Sequence, residues 1–216
     1  MKAPPPPSPR RDILHDVASY YTARLTEHGA TARGVDWNGD ESQSERFRQL
    51  SKIIVSDAPF SLNDVGCGYG AMLPFLDQRY PSVDYYGCDV SAPMVETARR
   101  EHAGRPGARF AVEVEPSRVA DYGVASGIFN VRLERSDTEW LAYTTDMLDA
   151  IARTSRLGFA FNCLTTYSDA HKMRNYLYYA NPAMMFDLCK TRYSRHVALL
   201  HDYGLYEFTV LVRMEA

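Results

Sequence analysis

The chain has 216 residues, of which 45% are hydrophobic and 24% charged, with a formal net charge of −3. That length covers the core of one sizeable α/β unit but not two, and the mild acidity, with no Lys/Arg stripe, excludes the field that gathers polyphosphate, so neither DNA nor RNA is an expected partner. No apolar run approaches the ~20 residues that span a bilayer and no signal-peptide stretch opens the chain, so the expectation is a soluble cytoplasmic protein without membrane partners, a monomer or a homodimer.

Residues 1–10, Met-Lys-Ala-Pro-Pro-Pro-Pro-Ser-Pro-Arg, predict an extended or disordered tail, because proline lacks an amide hydrogen and restricts its predecessor. Ile13, Leu14, Val17, Tyr20, Tyr21 and Leu25 follow helical spacing, which predicts a helix over 11–28 stopped by Gly29. Asp40 three residues before Gln43 has the form of a capping box, and Phe47, Leu50, Ile53 and Ile54 mark one face of a second helix. A short apolar run then meets Asp64-Val65-Gly66-Cys67-Gly68-Tyr69-Gly70, after which Met72, Leu73, Phe75 and Leu76 predict a helix ending before Pro81.

Val83 to Asp89 reads as the next strand, and Ser91 as the cap of a helix carrying Met94, Val95 and Ala98. Arg109–Val112 and Tyr122–Phe129 read as strands three and four, Ser136 and Glu139 as a capping box before the helix of Trp140 to Ile151, and Leu157–Leu164 as strand five. Asn181-Pro182 opens a helix to about Lys190, and His196–His201 and Leu205–Arg213 form a terminal hairpin through Asp202-Tyr203-Gly204. Strands alternate with helices until that pair, which predicts a mostly parallel sheet with one antiparallel member near its edge. Residues 11–58 and 59–216 are expected to form a helical segment and a core within a single domain.

The chemistry concentrates at Asp64 and Asp89. Strand, glycine turn, helix, strand and acid make the unit in which backbone approaches a nucleoside and a carboxylate grips its ribose hydroxyls. Dinucleotide sites carry G-x-G-x-x-G facing a pyrophosphate. Here the third glycine arrives one residue early and Asp64 precedes the run, and a partly buried carboxylate suits an ammonium rather than a phosphate. On Asp64, Gly66, Gly68, Gly70 and Asp89 the chain resembles the class I S-adenosylmethionine-dependent methyltransferases, whose first motif is [D/E]-x-G-x-G-x-G and whose second is an acid closing the next strand. The match is specific over about 60–130 and otherwise rests on element order.

That resemblance implies a Rossmann-like α/β fold of seven strands with a C-terminal antiparallel hairpin, S-adenosylmethionine as cofactor and S-adenosylhomocysteine as product, and residues 11–58 acting as a lid. The expected cofactor residues are Asp64, Gly66, Cys67, Gly68, Gly70, Asp89, Val90, Met94 and Ser126. Tyr21, Trp37, Gln43 and Arg46 either close over the cofactor, with Arg46 pairing its carboxylate, or pack against the sheet. Glu113 and Glu115 both stand after strand three, where such enzymes contact the adenine amine, and the sequence does not choose between them.

The acceptor is expected beyond the ends of strands four and five. Asn130 lies where amino-methylating DNA enzymes carry an N/D-P-P-Y motif but lacks the prolines; it orients an acceptor or caps a turn. His201 is either a general base or a hydrogen-bonded strand end. Phe129, Arg132, Asn162, Tyr167 and Tyr178 are the candidate acceptor contacts, and the cations and phenols from His171 to Tyr179 suit a small polar or anionic acceptor, or else a wet surface loop. The four cysteines at 67, 88, 163 and 189 are too scattered for zinc and read as free thiols, and no metal is expected. A small-molecule oxygen or nitrogen acceptor in a biosynthetic or tailoring pathway is the leading expectation. The alternatives are a protein or RNA substrate, or a nonenzymatic binding module.

Overall fold

The structure, a computed structural model, describes residues 9–55 and 58–215. The tail expected over 1–10 falls, for residues 1–8, outside the described residues. Pro9 and Arg10 instead begin helix α1, Pro9–His28, since proline is tolerated in a first turn whose amides lack helical partners. Gly29 ends that helix at φ +69°, its N–H reaching Leu25 O at 2.8 Å. A 3-10 turn, Ala32–Val35, leads to helix α2, Asp40–Ser51. The capping box expected at its start does not form: Gly39 is the cap, Asp40 is already helical, and the Gln43 side chain accepts from Tyr69 Oη at 3.3 Å instead.

The core runs β1 (Phe60–Val65), α3 (Met72–Asp77), β2 (Val83–Asp89), α4 (Ala92–Glu101), β3 (Ala108–Val112), β4 (Ala120–Ala125), α5 (Asp137–Arg153), β5 (Ser155–Thr165), β6 (Tyr179–Ala180), α6 (Pro182–Arg192), β7 (His196–Leu200) and β8 (Glu207–Arg213). The sheet order is β3-β2-β1-β4-β5-β8-β7, parallel throughout except that β8 runs antiparallel to both neighbours. This is the Rossmann-like arrangement with its C-terminal antiparallel pair. An eighth strand, β6, adds two residues beside the end of β5 through Leu164↔Tyr179 and Thr165↔Ala180. Two residues are too few to show a period of two, so the sequence pattern gives no sign of it.

Strand four stops at Ala125, short of the Phe129 expected. Gly127 turns the chain at φ +76° and gives its N–H to Asn162 Oδ1 at 2.9 Å, outside the ladder. Phe129 then packs against Phe161 with ring centroids 5.7 Å apart, and its carbonyl accepts the Trp140 indole N–H at 2.8 Å. Trp140, Phe129 and Phe161 are fully buried, and each such side chain contributes about 1.5–3 kcal/mol by leaving water. The capping box at Ser136 and the caps at Ser91 and Asn181 form as their spacing predicts. Strand order reverses direction between β2 and β4 across β1, so the loops after β1, β2 and β4 open into one crevice, the place where such sheets take ligands.

Candidate functional site

The glycine run makes the floor of that crevice. After β1 the N–H groups of Gly66 and Cys67 both bond Cys88 O, at 2.8 and 3.0 Å, pinning the turn to the end of β2. Gly68 sits at φ +54°, and a Cβ there would approach Val35 Cγ1 to 3.1 Å, so only glycine lets the turn pass beneath the 3-10 segment. Asp89, closing β2, accepts from Gly68 N at 2.9 Å and Ser91 N at 2.8 Å. Burial raises its pKa while those N–H groups pull the other way. Val90 N–H adds to them, and since a carboxylate has room for about four donors, acceptor capacity remains.

Asp64, at the end of β1, is 2% exposed and accepts the Tyr85 hydroxyl at 2.5 Å. Burial pushes its pKa up to about 7 against that hydrogen bond, and the nearby Asp89 charge adds to the rise. An ammonium brought beside it would restore full ionisation. Ser126 Oγ, at the end of β4, is buried without a hydrogen-bond partner.

Asp64, Gly66, Cys67 and Gly68, with Asp89, Val90, Met94 and Ser126, line one cleft of about 80 Å³. From above it is closed by Leu14, Val17 and Tyr21, one helical stripe of α1, and by Trp37 and Gln43. Helix α1 is tied down by Thr22 Oγ1 against Ser91 Oγ at 2.8 Å and by an Asp16–Arg135 ion pair. Glu113 also lines the cleft and accepts the Tyr86 hydroxyl at 2.8 Å, whereas Glu115 pairs with Arg153 at the surface. Of the two glutamates the sequence left open, Glu113 is the one that lines the cleft.

Tyr21, Val35 and Trp37 also line a second cavity of about 580 Å³, so these three side chains form the wall between the two. Trp37 lies flat against Gly127, where a Cβ would come within 2.2 Å of its Cη2. The Arg46 guanidinium stacks over the same ring, 3.7 Å from its centroid. Arg46 bonds Glu207 in a bidentate pair, Nη2 to Oε1 at 2.6 Å and Nε to Oε2 at 2.9 Å. Asn162 bridges the pair to the sheet, its amide nitrogen on Glu207 and its oxygen on Gly127 N. Arg46 Nη1 is buried with no partner, a state that costs about 1–3 kcal/mol, and more for a charged group.

The structure therefore separates Arg46 from the cofactor candidates. Its partner is Glu207, and it lines the second cavity rather than the cleft. Gly70 lies outside the cleft too, packed against His102 and Phe110. Of the acceptor candidates Asn130 lines the second cavity, as do Lys172, Arg174, Tyr176 and Tyr179 from the segment of cations and phenols. Phe129 and Tyr178 are core residues, and Asn162 is fully buried beneath the wall. Arg132 turns to the carbonyls of Leu177 and Arg135. Tyr167 is 75% exposed, and His201 rests between it and Phe208 outside both cavities. Sequence reasoning missed Val35, Gly127 and Glu207. Glu207 left a signal, an acid opening the otherwise apolar run Phe208-Thr209-Val210-Leu211-Val212.

All four cysteines are free and buried. Among the described residues no group of three His, Cys, Asp or Glu side chains could hold a metal ion, and no helix is long and apolar enough to cross a membrane.

Comparison with known proteins gives the same architecture a chemical setting. Residues 63–158 match the family described as "Methyltransferase domain". A Mycobacterium tuberculosis protein named "Putative methyltransferase Rv1506c" is 59% identical over 162 residues, covering 75% of this chain and 98% of the relative. The structure of magnesium protoporphyrin IX methyltransferase from Synechocystis PCC 6803 with bound SAM superposes with a TM-score of 0.64 at 11% identity, covering 99% of this chain and 100% of that one. The N-methyltransferase NodS from Bradyrhizobium japonicum WM9 with S-adenosyl-L-homocysteine gives 0.63 at 13% identity, covering 93% and 99%. At such identities these two likenesses are of fold.

Proposed function

The chain belongs to the class I S-adenosylmethionine-dependent methyltransferases, and from that premise we propose that it methylates an oxygen or nitrogen of a small molecule in a biosynthetic or tailoring pathway. The observation that carries the reading is the juxtaposition of two cavities across the Tyr21, Val35 and Trp37 wall, the smaller on the glycine motif and the larger of about 580 Å³. That volume lies within the range of small-molecule pockets.

The residues of the cleft fit the cofactor. Asp89 keeps acceptor capacity for ribose hydroxyls, Glu113 offers a carboxylate to an adenine amine, Asp64 offers one to an ammonium, and Ser126 Oγ is an unpartnered polar atom on the lining. When bound, S-adenosylmethionine supplies a sulfonium methyl whose C–S bond breaks with its electrons staying on sulfur, while the acceptor's lone pair forms the new bond and S-adenosylhomocysteine departs. The chain's own part is placement. Asp89 and Asp64 hold the two ends of the nucleoside amino acid, and the wall sets the line between methyl and acceptor. Orientation of this kind supplies up to about 7–11 kcal/mol of a barrier. No histidine lines either cavity among the described residues, so the acceptor's proton passes to solvent or to a base other than His201.

A cleft of about 80 Å³ is far smaller than a nucleoside needs, since ligand sites run to about 300 Å³ and more. Residues 11–58 are thus the lid in this reading, with Tyr21 and Trp37 as the side chains that move. Incubation with methyl-tritiated S-adenosylmethionine and a fractionated lysate tests the assignment. Label should enter the low-molecular-weight fraction. Label confined to acid-precipitable protein or RNA would overturn the small-molecule assignment.

A further inference from the structure

The larger cavity has a one-sided hydrogen-bonding character. Both carboxylates on its lining are already engaged. Asp36 accepts the Tyr20 hydroxyl at 2.8 Å and an Arg24 N–H at 2.5 Å, and Glu207 is shared by Arg46 and Asn162. The donors are not. Arg46 is 5% exposed, two of its three nitrogens are on Glu207, and Nη1 is buried without a partner. The Asn130 amide oxygen takes Leu164 N at 3.2 Å, which leaves its amide nitrogen as what it can offer a ligand.

Charge on the lining has the same bias. Lys172 and Arg174 belong to it; Lys172 is paired with Asp169 at 3.5 Å, whereas Arg174, its Nη1 on the carbonyls of His171 and Met173, has no carboxylate within 4.0 Å among the described residues. Its loop is fixed by Arg174 N on Tyr179 Oη at 3.0 Å and by Tyr178 N on Asn130 O at 2.8 Å. A protonated amine entering here would meet unpaired donors and like charge. An oxyanion would satisfy both.

We propose that this cavity binds a carboxylate-bearing methyl acceptor, whose oxygens take the free donors of Arg46 and Asn130 while Arg174 supplies the charge that Glu207 cancels at Arg46. The proposal rests on the methyltransferase reading and narrows it to a substrate class. Charge-assisted, two-donor recognition of a carboxylate is selective, because a neutral isostere leaves a charged donor uncompensated.

Calorimetry on the full chain saturated with S-adenosylhomocysteine, titrated with benzoate, cinnamate and hexanoate and with their primary amides, tests it. At least one acid should bind tenfold or more tightly than its amide. Arg174→Gln and Asn130→Asp should each reduce that preference at least threefold, with S-adenosylhomocysteine affinity unchanged within twofold. Acids binding no better than amides, or a preference indifferent to both substitutions, would overturn the proposal while leaving the methyltransferase assignment intact. Failure of S-adenosylhomocysteine to bind at all would instead remove the assignment beneath it.

Discussion

The cleft on the glycine turn and the cavity across the wall are built by different means. The floor of the cleft is made largely of backbone and of residues close in sequence, Asp64 to Gly68 and Asp89 to Met94, each set at the end of one strand, beneath side chains from α1, α2 and the segment between them. The cavity is assembled from side chains contributed by α2, the β4–α5 connection, the segment before β6 and the start of β8. A site made of backbone keeps its ligand when side chains drift, whereas a site made of side chains is free to change its ligand. The difference teaches that cofactor identity and acceptor identity are held by separable parts of one molecule, and substitutions should separate them.

The largest expected effect falls on the ion pair of the cavity. Glu207→Ala leaves the buried Arg46 guanidinium uncompensated and should cost about 3–5 kcal/mol of stability in urea denaturation. A loss below about 1 kcal/mol would show that the pair does not clamp α2 to the sheet. Next comes the cleft. Asp89→Asn weakens acceptance from ribose hydroxyls and should raise the dissociation constant for S-adenosylhomocysteine about 30–100-fold, about 2–3 kcal/mol of charged hydrogen bonding. The acid-over-amide preference of the cavity should survive, and its loss would break the separation between the two regions.

A smaller effect is a pH dependence confined to the cleft. The folded Asp64 carboxyl is pushed up to about 7 by burial, against about 3.9 unfolded. Between those values the folded state holds the proton that the unfolded state has released, so stability contributed by this group falls as pH rises from about 4 to 7 and is level outside that window. Binding of an ammonium reverses the preference. Below pH 7 each S-adenosylhomocysteine bound should release a proton, affinity should climb toward pH 7, and titrations in phosphate and Tris should differ in heat by the buffers' ionisation enthalpies. Identical heats at pH 6 would show that Asp64 does not sense the ligand.

The same division explains what was legible in the sequence. Asp64, Gly66, Gly68 and Asp89 could be brought to one cleft because their positions follow from backbone geometry and fixed spacing. Trp37, Tyr21 and Gln43 could be named because aromatics and amides near a lid are few. Arg46 was named either for the cofactor carboxylate or for packing against the sheet, and its partner Glu207 could not be read because it lies 161 positions away and only the sheet order brings β8 beside β5. His201, the neutral-pH base suggested by its chemistry, fell outside both cavities because β7 is the outermost strand on the β8 side. Phe129 was assigned to a strand and to the acceptor because the apolar run Gly127-Ile128-Phe129 hides a turn at Gly127.

The electrostatics of the glycine turn remain the root of the account. Calorimetric titration of the full chain with S-adenosylhomocysteine and, separately, with NAD tests it most directly. Saturable one-to-one binding of S-adenosylhomocysteine and no heat from NAD is the predicted result, because a buried carboxylate on the cleft disfavours a diphosphate. Binding of NAD with none of S-adenosylhomocysteine would contradict it.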